Sequence, residues 1–156
     1  MENTKAREFV QKIKGLWSEQ RNRELIYLEA MKKEGMGPMR KMLTQGHFSA
    51  LLCQKEIRSI YDYFKCFFND KELGDLNEIK INSGHLMQDI EGKEQILGFL
   101  KDNEGMVLQY YRALIKHLEI EAEVRQILNQ HLDRISELYE ILSKQGNMKL
   151  RSVTVS

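Results

Sequence analysis

Between Val124 and Leu142 the apolar positions keep one rhythm. Val124, Leu128, His131, Ile135, Leu138 and Leu142 follow one another in steps of four, three, four, three and four. Residues spaced this way share a single stripe of an α-helix; a strand would instead alternate faces at every second residue. A lone helix with such a stripe is marginal in water and needs partners to cover it. Leu97, Leu100, Glu104, Val107, Tyr111 and Leu114 make a second stripe of the same kind just upstream, across a short acidic turn. The stretch from Ile96 to Leu142 therefore predicts two amphipathic helices sharing an apolar seam, with Glu104 and His131 as polar residues near mid-helix.

The remainder of the chain supplies the other half of a bundle. A single proline, Pro38, and almost no alternating runs of Val, Ile or Thr predict an all-α protein. Helix 1 is expected over about Lys5 to Glu34, with a seam through Val10, Ile13, Trp17, Gln20, Glu24, Tyr27 and Met31. Lys32 and Lys33 suit its negative C-terminal end, and Gly35 suits a left-handed cap. Pro38 restarts the chain at the first helical position, where a missing N–H does no harm. Helix 2 is expected from there to about Phe68, with a seam of Leu43, His47, Ala50, Cys53 or Gln54, Ile57, Ile60 or Tyr61, Phe64, and Phe67 or Phe68. Its aromatic end (Tyr61, Tyr63, Phe64, Phe67 and Phe68) reads as a plug for one end of the core. Helix 3 is expected over Lys93 to His117 and helix 4 over residues 120–145, closed by Lys144 and Gly146, with a frayed tail at 151–156.

Segment 69–92 breaks the rhythm, with Gly74, Gly84 and Gly92 among scattered apolar residues. A helix of ~26 residues is ~39 Å long, whereas this segment, extended, reaches ~65 Å or more. It is long enough to cross a whole bundle. The expectation is an up-down-down-up four-helix bundle of ferritin-like form, in one domain over residues 1–150, with the crossover between helices 2 and 3.

Composition narrows the function classes. With 24 basic and 23 acidic side chains the net charge is +1, which gives no electrostatic pull toward nucleic acid or an anionic membrane. No apolar run approaches the ~18 residues of a membrane span. The opening Met-Glu-Asn-Thr-Lys lacks a basic-then-apolar leader pattern, so the cytoplasm is the expected location. Cys53 and Cys66 lie about 140° apart around helix 2, so they cannot bridge each other, and both read as buried free thiols.

Chemistry, if there is any, centres on Glu24, His47, Glu104 and His131. A carboxylate-bridged metal pair in a helical bundle takes a Glu from each of two helices and a Glu-x-x-His from each of the other two. Here each hairpin places one Glu and one His at about the same level. Thr44 and Leu128 stand three residues before the two histidines, however, and no Glu-x-x-His occurs in the chain. The set is at most half of a di-metal site. Hydrogen-bonded buried polar residues are the simpler expectation, with iron or another divalent metal as the alternative and no cofactor required. The polar run Ser18–Glu24 crosses the helix 1 seam and reads as a surface section or the lining of a small polar cavity.

Helices 3 and 4 also carry a resemblance. Ile96-Leu-Gly-Phe-Leu-Lys-Asp-Asn-Glu-Gly-Met-Val-Leu-Gln-Tyr-Tyr-Arg-Ala-Leu-Ile115 is similar to the third helix of a bacterial ferritin-like family of unknown function, in Glu104, Tyr110 or Tyr111, Ala113 and Leu114. Glu123-Val-Arg-Gln-Ile-Leu-Asn-Gln-His131 resembles the opening of that family's fourth helix, and Met42–Phe48 is a looser match to its second. The resemblance implies a four-helix bundle related in fold to ferritins and rubrerythrins. The chain departs from the pattern in lacking the family's Gly- and Trp-containing segment before helix 3 and its Asp-Gly in helix 1. The leading functional expectation is a non-enzymatic bundle acting through a homodimer or another helical partner; a metal protein built on Glu24, His47, Glu104 and His131 is the alternative.

Overall fold

The computed structural model describes residues 2–66, 74, 76, 87–117 and 120–155. Among these it is all-helical: α1 (Glu2–Lys32), a 3-10 turn (Gly37–Met39), α2 (Arg40–Lys65), α3 (Lys93–His117) and α4 (Ala122–Val155). None of the described helices is long and apolar enough to cross a membrane. The α1–α2 corner follows the sequence reading. Gly35 takes a φ of +79°, and Pro38 opens the single 3-10 turn before α2. The last helix does not stop near residue 145; it runs to Val155 and takes in most of the expected tail. A lone glycine costs a helix only about 1 kcal/mol and no proline follows Gly146, so nothing in the chain forces an end there.

Among the described residues the four main helix–helix contacts are antiparallel. Along α1–α2, Phe9 meets Phe64 with ring centroids 4.8 Å apart, and Thr44 meets Met31 at the other end. Along α3–α4, Tyr111 meets His131 and, one end nearer, Arg125 meets the Ile115 carbonyl. Along α1–α3, Tyr110 donates to the Lys12 carbonyl and Arg23 pairs with Glu104. α2 meets α4 through Glu56, which reaches both His131 and Arg134. The crossing read into segment 69–92 lies outside the described residues apart from Gly74, Leu76 and 87–92. Residues 87–89 form a turn.

The core falls into two apolar clusters. One joins Phe9, Ile13, Leu16 and Trp17 to Ile57, Ile60, Val107, Leu114 and Leu128, with Leu76 among them. The other joins Ile26, Tyr27, Ala30 and Leu43 to Ile96, Leu97, Leu100 and Leu142, with Met87 among them. Each fully buried Leu or Ile contributes about 1.5–3 kcal/mol, so the two clusters hold the helices together. Gln20, Arg23 and Glu104 are buried polar side chains between them, and a fourth, His131, sits within the first cluster beside Tyr111.

The α3 and α4 stripes are buried at all twelve positions read from the sequence. On α1 the buried row is Phe9, Ile13, Leu16, Gln20, Arg23, Tyr27 and Ala30, so Arg23 takes the place expected of Glu24. On α2, Gly46 replaces His47 in the buried row, because the Tyr27 ring lies against its backbone where a Cβ would be. The cysteines divide as well. Cys53 is buried as expected, but Cys66 is exposed, one residue beyond the end of α2.

The same substitution at two glycines is therefore expected to have opposite signs. Gly46→Ala drives a methyl group into the buried Tyr27 ring and destabilises by roughly 1–3 kcal/mol. Gly98→Ala, in α3 with open space around it, stabilises by about 0.5–1 kcal/mol. Urea denaturation of the two variants checks both directions.

Candidate functional site

The polar layer is built from α1 outward. Phe9, Leu16, Arg23 and Ala30 share a face of α1, and Val10, Trp17, Glu24 and Met31 lie one residue further round. Both rows are compatible with the heptad rhythm, and both meet the core. What separates them at the middle is α3, which presents the Glu104 carboxylate there. A buried carboxylate beside Glu24 would leave two like charges in a dry interior; beside Arg23 it is neutralised. Arg23 is 0% and Glu104 1% exposed. Arg23 Nε donates to Glu104 Oε1 at 2.7 Å and Nη2 donates to Oε2 at 2.9 Å, a two-pronged pair. Burial works against the guanidinium charge, but the adjacent Glu104 outweighs it and the Arg23 pKa is raised.

The rest of the layer follows from the fact that arginine has only donors. Arg23 Nη1 donates to Gln20 Oε1 at 2.6 Å, which fixes the amide so that Gln20 Nε2 donates to the Tyr111 hydroxyl at 2.7 Å. That hydroxyl is protonated, since burial raises the Tyr111 pKa well above its ordinary value. With its oxygen accepting from Gln20, it donates to His131 Nδ1, 2.8 Å away. His131 then carries its own proton on Nε2 and donates to Glu56 Oε1 at 3.3 Å. Glu56 also accepts from Arg134 Nη1 at 3.4 Å, at the protein surface. The hydrogen bonds run in one direction, from the buried guanidinium to a solvent-facing carboxylate.

His131 is neutral in this arrangement. Burial pushes its pKa down to about 4, against the opposing pull of Glu56. Because the folded value lies below the ordinary 6.5, the unfolded chain takes up the proton first. The stability that His131 contributes is thus complete above the ordinary value and is lost as pH falls toward 4. Two neighbours complete the surroundings. Burial raises the Cys53 thiol to about 11, so it is an inert packing group. The Tyr27 hydroxyl is buried and has no hydrogen-bond partner among the described residues, while its ring faces the Arg23 guanidinium at 5.9 Å.

Of the four residues singled out in the sequence, Glu104 and His131 lie in this layer, and the other two do not. Glu24 is half-buried outside it; its carboxylate accepts from Arg21 Nη1 at 2.7 Å and from Gln54 Nε2 at 2.9 Å. His47 is half-buried and reaches the Glu24 carbonyl through Nδ1 at 3.2 Å. A carbonyl only accepts, so that nitrogen carries the proton. Glu104 and His131 are themselves joined only through Arg23, Gln20 and Tyr111, and the Glu104 oxygens that a metal would need are engaged by Arg23. Among the described residues no three His, Cys, Asp or Glu side chains come together as a metal site. The residues that sequence reasoning passed over are Arg23 and Glu56; Gln20 stood on the α1 seam from the start. Arg23 was visible only as the alternative member of an interleaved row, and Glu56 only as the one carboxylate on α2 that falls level with His131.

The pair at the centre has a measurable signature. Arg23→Met strands a buried carboxylate and Glu104→Met strands a buried guanidinium, so each is expected to destabilise by about 3–5 kcal/mol. The double variant, with two well-packed thioethers, is expected to be clearly more stable than either single one in urea denaturation; additive losses contradict the pairing. Comparison of the chain with family models, with curated proteins and with solved structures gives no match, so the site is read from its geometry alone.

Proposed function

We propose that this chain is a ferritin-like bundle, wound up-down-down-up with a crossover between α2 and α3, and that it acts without catalysis, by associating with a second copy of itself. The winding is supported by the antiparallel contacts of α1 with α2 and α3, and of α4 with α2 and α3. The crossover is supported by two residues of the connecting segment. Leu76 packs in the apolar cluster at one end of the bundle, close to where the Tyr61 hydroxyl donates to the Gly74 carbonyl. Met87 packs in the cluster at the other end, and its carbonyl accepts from Lys33 Nζ at 2.8 Å.

The observation that carries the functional reading is on the outside. Phe48 is 63% exposed, Leu52 43% and Leu51 37%, all on one side of α2. Ile141, 36% exposed, lies one heptad beyond Arg134 on the face of α4 that meets α2. Single exposed apolar residues are ordinary, but three large ones side by side on the outer face of one helix are the composition of a surface that is covered in use. The polar layer, by contrast, turns its donors and acceptors on itself and presents no converging set of reactive groups. That is the behaviour of a part that fixes the bundle's shape.

Sedimentation velocity over a wide concentration range tests the reading. A species of twice the chain's mass is expected, growing with concentration. A strictly monomeric protein at the highest concentrations contradicts it.

A further inference from the structure

The outer face of α2 carries a second heptad row. Lys41, Gln45, Phe48, Leu52, Lys55, Ser59, Asp62 and Cys66 follow in alternating steps of four and three, and every one of them is exposed. The inner row of the same helix, Leu43, Gly46, Ala50, Cys53, Ile57 and Ile60, is the one buried in the bundle. A helix with two such rows has one face for its own bundle and another for a second helix.

We propose that the occupant of this outer face is the α2 helix of a second copy, packed antiparallel about a two-fold axis that passes between Leu51 and Leu52. This rests on the association reading above and names its surface. A two-fold interface must be complementary to itself, so each residue is paired with the one equally far beyond the axis. About this axis Leu51 of one copy meets Leu52 of the other, twice. Phe48 meets Lys55, an aromatic face against an ammonium on a flexible apolar stem. Lys41 meets Asp62, placing an ion pair at each end of the contact.

Other placements of the axis are worse. Centred on Lys55, it sets two ammonium groups against each other and Phe48 against the Asp62 carboxylate; centred on Asp62, it sets two carboxylates against each other and leaves Phe48 and Leu51 uncovered. The axis at Leu51/Leu52 buries Phe48, Leu51 and Leu52 about the centre and brings no like charges together. Charge order along the row, basic at Lys41 and acidic at Asp62 with the apolar residues between, is what an antiparallel copy of the same helix matches. A parallel copy would set Lys41 against Lys41. Leu52, one turn before Glu56 on α2, lies on the side of the helix that meets α4, where Ile141 is also exposed.

The full-length chain tests this in two ways. By sedimentation, Lys41→Asp and Asp62→Lys are each expected to weaken the dimer by roughly tenfold, because each turns two ion pairs into two like-charge contacts. The double exchange, Lys41→Asp with Asp62→Lys, is expected to restore it to within about threefold. In a Cys66→Ser background, Leu52→Cys is expected to give a disulfide-linked dimer on mild oxidation, and Met106→Cys, on exposed α3 surface, is not. These positions are exposed, so circular dichroism of each variant is expected to match the parent. A dimer whose affinity ignores all three charge variants, or that cross-links through residue 106 instead of 52, overturns this interface while leaving self-association standing. A chain that never dimerises overturns both.

Discussion

A carboxylate in the dry middle of a helical bundle has few ways to exist, and the arrangement of this molecule follows from the one it takes. Glu104 is held by Arg23 through two hydrogen bonds, at 2.7 and 2.9 Å, with both side chains out of contact with solvent. Such a pair adds little net stability compared with apolar packing, since two charges lose their water. Its effect is on register. Sliding α1 by a heptad in either direction would set Glu104 against Leu16 or Ala30 and leave it unpaired, at a cost of several kcal/mol. The two apolar clusters on either side would tolerate such a slide far better, because buried Leu and Ile occur along every helix. The ion pair therefore selects one alignment from among those that hydrophobic packing permits.

From Arg23 the polarity of the layer is determined link by link. Because a guanidinium only donates, Gln20 is oriented, the Tyr111 oxygen accepts, its proton points to His131, and His131 presents its Nε2 proton to Glu56. Every member is satisfied, and the chain of bonds ends at a carboxylate that water can reach. This is how four buried polar residues coexist in a core of this size without the penalty of unpaired groups. The Tyr27 hydroxyl is the one exception among the described residues, next to the strongest charges in the interior.

The sequence was most informative where a helix has a single apolar row. The stripes of α3 and α4 could be read residue by residue, and Glu104 and His131 were visible as polar interruptions of them. It was ambiguous on α1, where rows one residue apart share the same rhythm. Choosing between Arg23 and Glu24 there requires knowing that α3 brings a carboxylate, which is a tertiary fact. The substitution of Gly46 for His47 in the α2 row has the same origin, since the reason for it is a ring on another helix. Pairing a Glu with a His at one level of each hairpin describes Glu24 and His47, which meet through the Glu24 carbonyl. It fails for Glu104 and His131, because α3 sets Tyr111, two turns beyond Glu104, level with His131, and Glu24 and His47 lie outside the buried polar layer.

The direct test of this account is the protonation of His131, observed by nitrogen NMR of the imidazole ring as pH is lowered. The ring is expected to be neutral at pH 7, with the proton on Nε2 and Nδ1 accepting from Tyr111, and to be protonated only as pH approaches about 4. A proton on Nδ1 at neutral pH, or a ring that becomes charged near 6.5, would mean that the hydrogen bonds do not run outward from Arg23, and that this layer is organised by something else.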